Sequence, residues 1–483
     1  MQTRRDQVQA HSFMVRRLST AMAAAAPDAA EEPLRRTRNG AFIGLILAVL
    51  LCVGFLVFGL IFPGGSTSWR NEGTLVAVKG GAGRYVFSDG VLWPVSNQAS
   101  ALLLASNPKP VQVAADSLEG TPVGSPLGIA GAPDGLPAAD AEGPMVWQVC
   151  ATTVNTGDGV ETLTSLTLGR SPFGFPVEAD DGVLVRGPGG GVHLLWKGNR
   201  LAIDEENGAL ESLGYGTAVP HPVAASVLDG VPAGPALSAL DVDGRGEDGP
   251  RVSGADTRVG QVFSVPATEG GAEQFYVLTR EGLTPTDATH ARLLLGHPLT
   301  VEEAYGGGEA APVELTVNEL RSHLSGEEPV TGDGLPATPP PLTDPQGAAL
   351  CVIDQGDGAL ALALTSPADI GGRAARPPAG SRAACTAPDL IDIPSGEGGL
   401  VRAAPAGGAA LRGSYFLVTD TGAKYPVPDA KAAETLGYAP GGASAVSTAL
   451  LDLLPTGPDL TPQAAAEPVG ALAEPGEPRC LSD

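Results

Sequence analysis

An uninterrupted apolar run from residue 40 to residue 62 constrains this chain more than any other feature of its sequence. Its 23 residues, GAFIGLILAVLLCVGFLVFGLIF, include no charged side chain. A helix rises about 1.5 Å per residue, and about 20 apolar residues suffice to cross the hydrocarbon core of a bilayer. A buried helix of a soluble domain seldom runs this long without a polar face. The run therefore predicts a single transmembrane helix at 40–62.

Basic residues precede the run and set its expected orientation. Residues 1–39 carry seven Arg against four acidic residues, and Arg35, Arg36 and Arg38 lie directly before the run. Positive residues beside a span are retained on the cytoplasmic side. A cleaved signal peptide is the alternative, but the preceding segment is too long and no A-x-A site follows the run. We expect an uncleaved single-pass anchor in the cell membrane, with a cytoplasmic tail at 1–39 and an exterior (periplasmic-side) region at 63–483.

The cytoplasmic tail contains a candidate amphipathic helix. Apolar residues recur at helical spacing between Val8 and Met22, and two Arg pairs, Arg4–Arg5 and Arg16–Arg17, surround them. A basic amphipathic helix lies on anionic lipid or docks on a partner. A solvated helix without a binding role is the alternative.

The exterior region is strongly acidic. It contains 22 Lys and Arg against 50 Asp and Glu, a net charge of about −28. This charge argues against nucleic acid or an anionic membrane as the main ligand of the region. The whole chain has 66 Gly and 44 Pro, which indicate short elements joined by many turns. Its 43% hydrophobic residues are too many for wholesale disorder.

Five cysteines follow an informative layout. Cys52 lies in the apolar run, whereas Cys150, Cys351, Cys385 and Cys480 all lie in the exterior region. An even number of cysteines in an oxidising compartment predicts two disulfides, with three possible pairings. We favour Cys150–Cys351 and Cys385–Cys480, although the sequence alone leaves the pairing open. No pair has the C-x-x-C spacing of a zinc site.

Four segments of the exterior region share one pattern. Each has an aromatic or apolar strand, a turn ending in Gly, a second short strand and a polar residue that starts a helix. The turn glycines are Gly90, Gly198, Gly282 and Gly422, and the helix starts are Ser96, Asp204, Asp287 and Asp429. Gly supplies the positive φ of a tight hairpin, and Ser or Asp caps a helix. The pattern predicts four β-β-α repeats, at about 74–110, 183–237, 272–300 and 412–462.

The second and fourth segments also share the motif Leu-Asp-x-x-Pro-x-Gly-Pro, which begins at Leu228 and at Leu451. Chance similarity is the alternative to an internal repeat, and the shared motif argues against chance similarity. The intervening segments, about 111–180, 240–270 and 330–410, contain β-prone runs such as Thr162–Leu168. We therefore predict an α+β fold: one transmembrane helix, then an elongated exterior region with a β-rich core flanked by the four repeats.

A search for catalytic motifs finds none. The sequence lacks the phosphate-binding G-x-x-x-x-G-K-[ST] loop, the G-x-S-x-G nucleophile motif and the H-E-x-x-H zinc motif. The acidic segment 241–248 faintly resembles a calcium loop, but Arg245 and Val252 occupy positions that need oxygen ligands. An acidic surface turn is the default interpretation. We predict no catalytic, metal-binding or cofactor-binding residues, and we expect no cofactor.

Several stretches, in order along nearly the whole chain, resemble the EccB component of type VII (ESX) secretion systems. The similarity is clearest up to Cys150 and around the last repeat. The stretches that carry it are Gln7–Leu18, Glu32–Arg36, Phe62–Ser66 with Trp69, Thr74–Lys79, Arg84–Phe87, Leu92–Val95, Gly128–Asp134, Trp147–Cys150 and Leu454–Leu460.

The resemblance implies more than the residues alone. EccB-like proteins are single-span subunits of an inner-membrane complex, together with EccC-, EccD- and EccE-like subunits. Their exterior part has a core flanked by four repeats, self-associates and carries a disulfide, which here would be Cys150–Cys351. Some members of the family carry an ATPase name, so ATP is a conceivable ligand, although no nucleotide motif in this sequence supports it.

We therefore expect a structural subunit of a type VII secretion complex that anchors and oligomerises its exterior part around the export path. One alternative is an exterior ATPase, which a cluster of Lys and Arg in a glycine-lined pocket would favour. Another is a cell-wall-binding repeat protein that stacks sugars on an exposed row of aromatic residues. The aromatic residues of the repeats are Tyr85, Trp93, Trp196, Tyr276 and Tyr415.

Overall fold

A computed structural model describes residues 4–24, 35–61, 67–81, 83–139, 144–157, 159–267, 271–356, 359–404, 414–472, 474 and 476–481. The chain divides into two units, described separately below. The first comprises Met1–Thr67 with Val113–Glu119, and the second comprises Ser68–Gln112 with Gly120–Asp483.

Two long helices account for most of the first unit. Helix α1 spans Arg4–Ala24, and α2 spans Arg35–Ile61. Within α2, Arg36–Phe58 has a mean hydropathy of 3.0 and none of it is buried, so by length and composition it can cross a membrane. The predicted span ended at Phe62, which lies outside the described residues. Arg35, Arg36 and Arg38 belong to the first turn of α2.

The second unit consists mainly of short strands and helices. In chain order the strands are β1 (Thr74–Val78), β2 (Arg84–Ser88), β3 (Val91–Pro94), β4 (Asn107–Val113), β5 (Trp147–Thr156), β6 (Gly159–Leu168), β7 (Phe175–Pro176), β8 (Val183–Arg186), β9 (Val192–Trp196), β10 (Asn199–Ala202), β11 (His221–Pro222), β12 (Val262–Val265), β13 (Gln274–Thr279), β14 (Gly282–Thr286), β15 (Val313–Glu314), β16 (Ala349–Asp354), β17 (Leu360–Thr365), β18 (Arg373–Ala374), β19 (Leu390–Asp392), β20 (Gly399–Ala404), β21 (Tyr415–Thr419), β22 (Ala423–Val427) and β23 (Ser444–Ser447).

Within the described ranges, the helices of this unit are at most nine residues long. They are α3 (Gln98–Leu104), α4 (Ala209–Ser212), α5 (Ala225–Asp229), α6 (Ala288–Gly296), α7 (Pro298–Glu303), α8 (Val317–His323), α9 (Ala430–Thr435), α10 (Thr448–Leu451) and α11 (Pro462–Ala465). Short 3₁₀ helices of this unit cover Ser68–Arg70, Glu205–Asn207, Pro367–Asp369 and Pro440–Gly442, and another, in the first unit, covers Ala115–Leu118.

The described part of the chain forms five sheets, four of which have the same strand order. The orders are β3-β2-β1-β4, β10-β9-β8-β11, β14-β13-β12-β15 and β22-β21-β20-β23. The fifth, central sheet has seven strands in the order β18-β19-β6-β5-β16-β17-β7. Mixed α and β structure, one apolar N-terminal helix and several sheets agree with the predicted fold class.

The predicted β-β-α unit is incomplete. Each four-stranded sheet is built as β-β-β-α-β, and in the second, third and fourth sheets the last strand runs parallel to the first. The sequence pattern captured the hairpin of the second and third strands and the helix that follows. Two of the missed last strands, β11 and β15, are only two residues long. Two residues cannot show the alternation by which a strand is recognised.

The predicted core limits also need correction. The sequence pattern places segments 240–270 and 330–410 in the core, but β12 and β20 within them are the first strands of the third and fourth small sheets. Each first strand precedes its hairpin in sequence and therefore falls in the segment that the pattern assigns to the core. Strands from 147–176 and 349–392 do form the central sheet.

The predicted turn glycines have positive φ, at 76° for Gly90, 74° for Gly198, 127° for Gly282 and 79° for Gly422. Asp, as predicted, caps the helices or 3₁₀ turns after Asp204, Asp287 and Asp429. The first sheet differs, because the cap of α3 is not Ser96 but Asn97, whose side chain accepts from the Ser100 amide. An Asn amide oxygen satisfies an orphan helix amide as well as a Ser hydroxyl does.

Shared clusters of buried side chains pack the sheets of the second unit against one another. The central sheet buries Trp147, Val149 and Leu166 in one cluster with Val185 of the second sheet and Phe416 of the fourth. The first and fourth sheets share another cluster, in which Leu102 of α3 packs with Ala433 of α9. Leu293 of α6, which follows the third sheet, packs into the cluster of the second sheet. Each four-stranded sheet therefore has neighbours that cover part of its surface.

Candidate functional site

The first disulfide crosslinks the middle of the central sheet. Cys150 of β5 and Cys351 of β16 are cross-strand neighbours with Cα atoms 4.0 Å apart, and both are fully buried. Their separation of 201 residues joins the two sequence segments of the sheet. Beside them, the Gln148 side-chain amide donates to the Phe173 carbonyl at 2.9 Å and accepts from the Phe173 amide at 3.1 Å. The disulfide joins β5 to β16, and the Gln148 side chain joins β5 to the loop at Phe173, so both crosslinks hold the central sheet together.

The second disulfide holds the C-terminal segment. Cys385 and Cys480, 95 residues apart, form the other favoured pair, with Cα atoms 5.8 Å apart. The Cys385 amide donates to the backbone carbonyl of Asp452 at 3.0 Å. The Leu481 amide donates to Asp452 Oδ2 at 2.7 Å. Both ends of the disulfide are thus anchored on the same aspartate.

Asp452 belongs to a buried ion pair in the fourth sheet. Lys424 Nζ of β22 donates to Asp452 Oδ1 at 2.9 Å and to the Leu451 carbonyl at 2.7 Å. The two side chains are only 1% and 5% exposed. Burial lowers the pKa of Lys424, and the Asp452 carboxylate opposes this by favouring the charged amine. A buried pair of this kind depends on both members, because either one alone would be an uncompensated charge.

The second sheet contains a corresponding pair at its surface. Arg200 of β10, two residues after its turn glycine as Lys424 is, contacts Asp229 Oδ1 at 3.1 Å. The Thr386 hydroxyl donates to the other oxygen, Asp229 Oδ2, at 3.0 Å. Because Thr386 follows Cys385, one short segment contacts Asp229 of the second sheet and Asp452 of the fourth. The shared Leu-Asp motif of these two copies signalled these aspartates, but their cationic partners were missed.

Arginine side chains form ion pairs with carboxylates of the acidic segment 241–248. Arg280 Nε and Nη2 contact Glu247 at 2.8 and 2.6 Å, and Nη1 of the same residue contacts Asp243. Arg245 pairs with Asp241 at 3.1 Å. The bonds from Arg280 lower the pKa of Glu247. Across the described parts of the chain, no group of three or more His, Cys, Asp or Glu residues is arranged to hold a metal ion. The segment is an arginine-neutralised turn.

A cavity of about 390 Å³ lies beside the central and fourth sheets. Four glycines contribute to its wall, at positions 169, 398, 399 and 442. Arg170 is the one cation among the described residues that line it; its Nε contacts Asp392 at 2.8 Å, and Glu397 also lines the cavity. One arginine that is ion-paired with Asp392 and lies beside a further carboxylate is not the cluster of cations that a nucleoside triphosphate requires. The geometry therefore does not favour the ATPase alternative.

The repeat aromatics do not form an exposed row. Tyr276 is buried, and Tyr85, Trp93, Trp196 and Tyr415 are half-buried. The Lys197 ammonium lies 4.8 Å from the centre of the Trp196 ring. This packing explains the aromatic residues without a sugar ligand and weakens the cell-wall-binding alternative.

The chain is similar in sequence to proteins named as ESX secretion subunits. It is 28% identical over 447 residues to the "ESX-3 secretion system ATPase EccB3" of Mycolicibacterium smegmatis, covering 88% of this chain and 83% of that protein. It is 27% identical over 304 residues to the "ESX-1 secretion system ATPase EccB1" of Mycobacterium tuberculosis, covering 60% and 61% respectively.

Solved structures show the same fold. A chain of an intact ESX-5 inner membrane complex matches with a TM-score of 0.61 and 23% identity, covering 100% of this chain and 98% of that one. An EccB3 dimer from the ESX-3 core complex matches with a TM-score of 0.62 and 24% identity, covering 82% and 100%.

A family model supplies the assignment. The model described as "Type VII secretion system ESX-1, transport TM domain B" matches residues 1–474, nearly the whole chain. The match includes both the apolar helix and the five-sheet unit, and it agrees with the resemblance seen in the sequence. This chain belongs to the EccB family of type VII secretion systems.

Proposed function

We propose that this protein is a structural subunit of an ESX membrane complex, anchored by α2 and assembled through its five-sheet unit. The observation that carries the proposal is the family match over residues 1–474. The matched solved structures come from an ESX-5 inner membrane complex and from an EccB3 dimer. By analogy, the partners are EccC-, EccD- and EccE-like subunits, the membrane and further copies of this chain, and nucleic acid is not a partner.

ATP hydrolysis is not assigned to this chain, and we propose that it has no cofactor. The relatives carry an ATPase name. The sequence here has no nucleotide-binding loop, and the described wall of the glycine-lined cavity offers a single, ion-paired arginine. Activity that accompanies the purified complex would then belong to another subunit.

Gentle detergent extraction of the tagged full chain, followed by native mass measurement, tests the role. We expect a very large particle that contains an EccC-like ATPase and multi-span partners. ATP hydrolysis should disappear when the EccC-like partner is deleted, while this chain is still recovered. Recovery of this chain only as a monomer, with ATP hydrolysis retained by its 63–483 fragment, would overturn the proposal.

The proposed orientation places the N-terminus in the cytoplasm and the five-sheet unit outside. It rests on Arg35, Arg36 and Arg38 at the start of α2. Single cysteines in a Cys52→Ala chain test it by labelling with a membrane-impermeant maleimide. Cys at exposed Glu206 should react in intact spheroplasts, whereas Cys at exposed Gln9 should react only after permeabilisation. The opposite pattern would reverse the orientation.

A further inference from the structure

The two disulfides of the five-sheet unit differ in their exposure to solvent. Cys150 and Cys351 lie on adjacent strands of the central sheet and are fully buried. Cys385 and Cys480 are both partly exposed and lie outside the described helices and strands. A thiolate opens a disulfide only if it reaches one of the two sulfur atoms, and exposed disulfides are the more readily reduced ones. The second disulfide is therefore the one that a thiol in solution reaches while the sheets stay closed.

Cys385 belongs to an anchored segment. The Arg382 amide donates to the Thr456 carbonyl at 2.7 Å, and the Thr456 amide donates to the Arg382 carbonyl at 3.1 Å. The Cys385 amide and the Thr386 hydroxyl donate to the aspartates of the fourth and second sheets, at 3.0 Å each. These hydrogen bonds do not involve the disulfide, so they keep Cys385 in place when the disulfide opens.

Cys480 belongs to a weakly held segment, residues 476–481, which we call the C-terminal strap. Its residues before Cys480 are exposed. Apart from the disulfide, the described residues show one hydrogen bond that holds the strap, from the Leu481 amide to Asp452 Oδ2 at 2.7 Å. The Leu481 side chain packs at the margin of the central hydrophobic cluster. Once the disulfide is open, Leu481 is therefore the described residue through which the strap stays attached.

The family assignment does not account for the second disulfide. The family match ends at residue 474, so it includes both cysteines of the first disulfide and excludes Cys480. The proposed assembly role rests on that match and gives the second disulfide no function. The position of this disulfide points to one, because the strap that it holds donates a hydrogen bond to the buried Lys424–Asp452 pair.

We propose that Cys385–Cys480 is a site of reversible thiol–disulfide exchange with a dithiol, and that the exchange releases and recloses the C-terminal strap. The attacked sulfur is that of Cys480, because the strap is exposed and lightly attached whereas Cys385 is anchored. Release of the strap takes the Leu481 amide from Asp452 and admits water to the pair that Asp452 forms with Lys424. Reclosure needs no refolding of a sheet, because Cys385 stays where the strap left it.

The exchange balances in two steps. A thiolate of the dithiol attacks Cys480 Sγ and forms a mixed disulfide, the bond to Cys385 breaks, and Cys385 leaves as a thiolate that takes up a proton. The second thiolate of the dithiol then attacks the dithiol sulfur of the mixed disulfide. This closes a disulfide within the dithiol and releases Cys480 as a thiolate, which also takes up a proton. The dithiol is oxidised and the protein disulfide is reduced by the same electron pair, and an oxidised dithiol reverses both steps.

Reduction of the full chain under native conditions tests the difference in access. The Cys52→Ala chain in detergent is treated briefly with limiting dithiothreitol and then with N-ethylmaleimide, and peptide mass spectrometry reads each cysteine. We expect Cys385 and Cys480 to be labelled about a hundredfold faster than the cysteines of the first disulfide, because a buried pair reacts only after local unfolding. The first disulfide is the internal control. Equal rates for the two disulfides would overturn the inference.

A monothiol identifies the attacked sulfur. Glutathione forms a mixed disulfide but cannot complete the second step within one molecule. After a short reaction, an acid quench and alkylation, we expect glutathione on Cys480 in about tenfold excess over Cys385, because access decides which sulfur is attacked. An excess on Cys385, or equal amounts on both, would overturn the assignment of Cys480.

Amine labelling tests release and reclosure of the strap. Lys424 should be protected in the oxidised chain, reactive after selective reduction of the second disulfide, and protected again after treatment with oxidised dithiothreitol. Lys197, whose side chain is 49% exposed, should react throughout and serves as the positive control. In Cys385→Ser/Cys480→Ser, Lys424 should react equally with and without dithiothreitol.

Continued protection of Lys424 in the reduced chain, or a loss of protection that reoxidation does not reverse, would overturn the strap mechanism. These measurements use the isolated chain, so their failure leaves the proposed assembly role intact. Conversely, a monomer in the native mass measurement would remove the assembly role without changing the exchange chemistry.

Discussion

The second and fourth sheets have the same strand order and place a cation–aspartate pair at the same position, yet they bury it to different degrees. In the second sheet, Arg200 and Asp229 are 25% and 47% exposed at 3.1 Å. In the fourth, Lys424 and Asp452 are almost fully buried at 2.9 Å. The pairs also share their backbone setting: the Arg200 amide donates to the Pro232 carbonyl, and the Lys424 amide donates to the Pro455 carbonyl.

The difference comes from what covers each sheet. The Cys385–Cys480 disulfide brings the C-terminal segment over Asp452, where Leu481 donates to its second oxygen. Among the residues that the structure describes, Asp229 receives only the Thr386 hydroxyl on its second oxygen. The same local structure therefore contributes a surface ion pair in one copy and a buried one in the other. The comparison teaches that the energetic role of a repeated residue depends on its neighbours in space.

The largest effect should follow removal of the buried carboxylate. Asp452→Ala leaves the Lys424 ammonium without its carboxylate partner in a buried site, and breaking a buried pair costs about 3–5 kcal/mol. Hydrogen exchange of the β22 amides in the detergent-solubilised chain, followed as a function of urea concentration, measures the loss of unfolding free energy. A loss below about 1 kcal/mol would mean that the site is open to water, as a surface pair is.

Opening the second disulfide should have the next largest effect. Cys480→Ser releases the segment that covers Asp452, and loss of a native disulfide typically costs about 2–4 kcal/mol. Lys424 should also become reactive towards an amine-labelling reagent, which mass spectrometry can locate. The double variant Cys385→Ser/Cys480→Ser is the control and should match the single variant, since both lack the same bond. Unchanged protection of Lys424 would show that other residues cover the pair.

Acidification should weaken the second sheet and spare the fourth. Burial lowers the pKa of His193 and of His221, whereas residues 399–462 contain no His. A histidine whose folded pKa lies below 6.5 binds fewer protons than it does in the unfolded chain, so stability is lost as the pH falls through 6.5 towards that lowered pKa. Each pKa unit of lowering corresponds to about 1.4 kcal/mol.

Hydrogen exchange of β9 and β21 at pH 7.5 and 5.5, corrected for the intrinsic rate, measures this contrast. His193→Gln/His221→Gln should remove the pH sensitivity of β9. Equal destabilisation of both strands would assign the effect to the chain as a whole.

Removal of the surface carboxylate should have a small effect. Asp229→Ala breaks an ion pair that remains partly in water, and such pairs contribute about 0–1 kcal/mol. The same urea-dependent exchange experiment, read at β10, gives the value to compare with Asp452→Ala. A cost similar to that of Asp452→Ala would remove the distinction between the two copies.

Replacing both members of the buried pair should have the smallest effect. Exchange of a buried ion pair for apolar residues of similar volume is often neutral or stabilising. Lys424→Met/Asp452→Leu should therefore recover most of the stability that Asp452→Ala loses. A double variant as unstable as the single one would show that the hydrogen bonds that Lys424 donates to the Leu451 carbonyl and that Asp452 accepts from the Leu481 amide matter more than the charges.

Local sequence signals carried a large part of the fold. The turn glycines lie at the hairpins because only a residue without Cβ adopts positive φ at low cost. Asp204, Asp287 and Asp429 mark helix starts because a carboxylate accepts from orphan amides. The pattern places β12 and β20, the first strands of the third and fourth sheets, in the core and misses the last strands β11 and β15. These strands of two to six residues carry too little alternation and find their partners across long connections.

The sequence by itself determined the apolar helix, the hairpin turns, the four cysteines available for two disulfides and the family. These features depend on local backbone preference, hydropathy and residue order, which are all written along the chain. Only the tertiary structure decided that Lys424 is buried and Arg200 is partly exposed. It also decided that β12 and β20 belong to the small sheets and not to the central sheet. Burial of Lys424 requires Asp452, 28 residues away, and Leu481, another 29 residues beyond. No local pattern encodes such contacts, because burial is a property of what packs together in space.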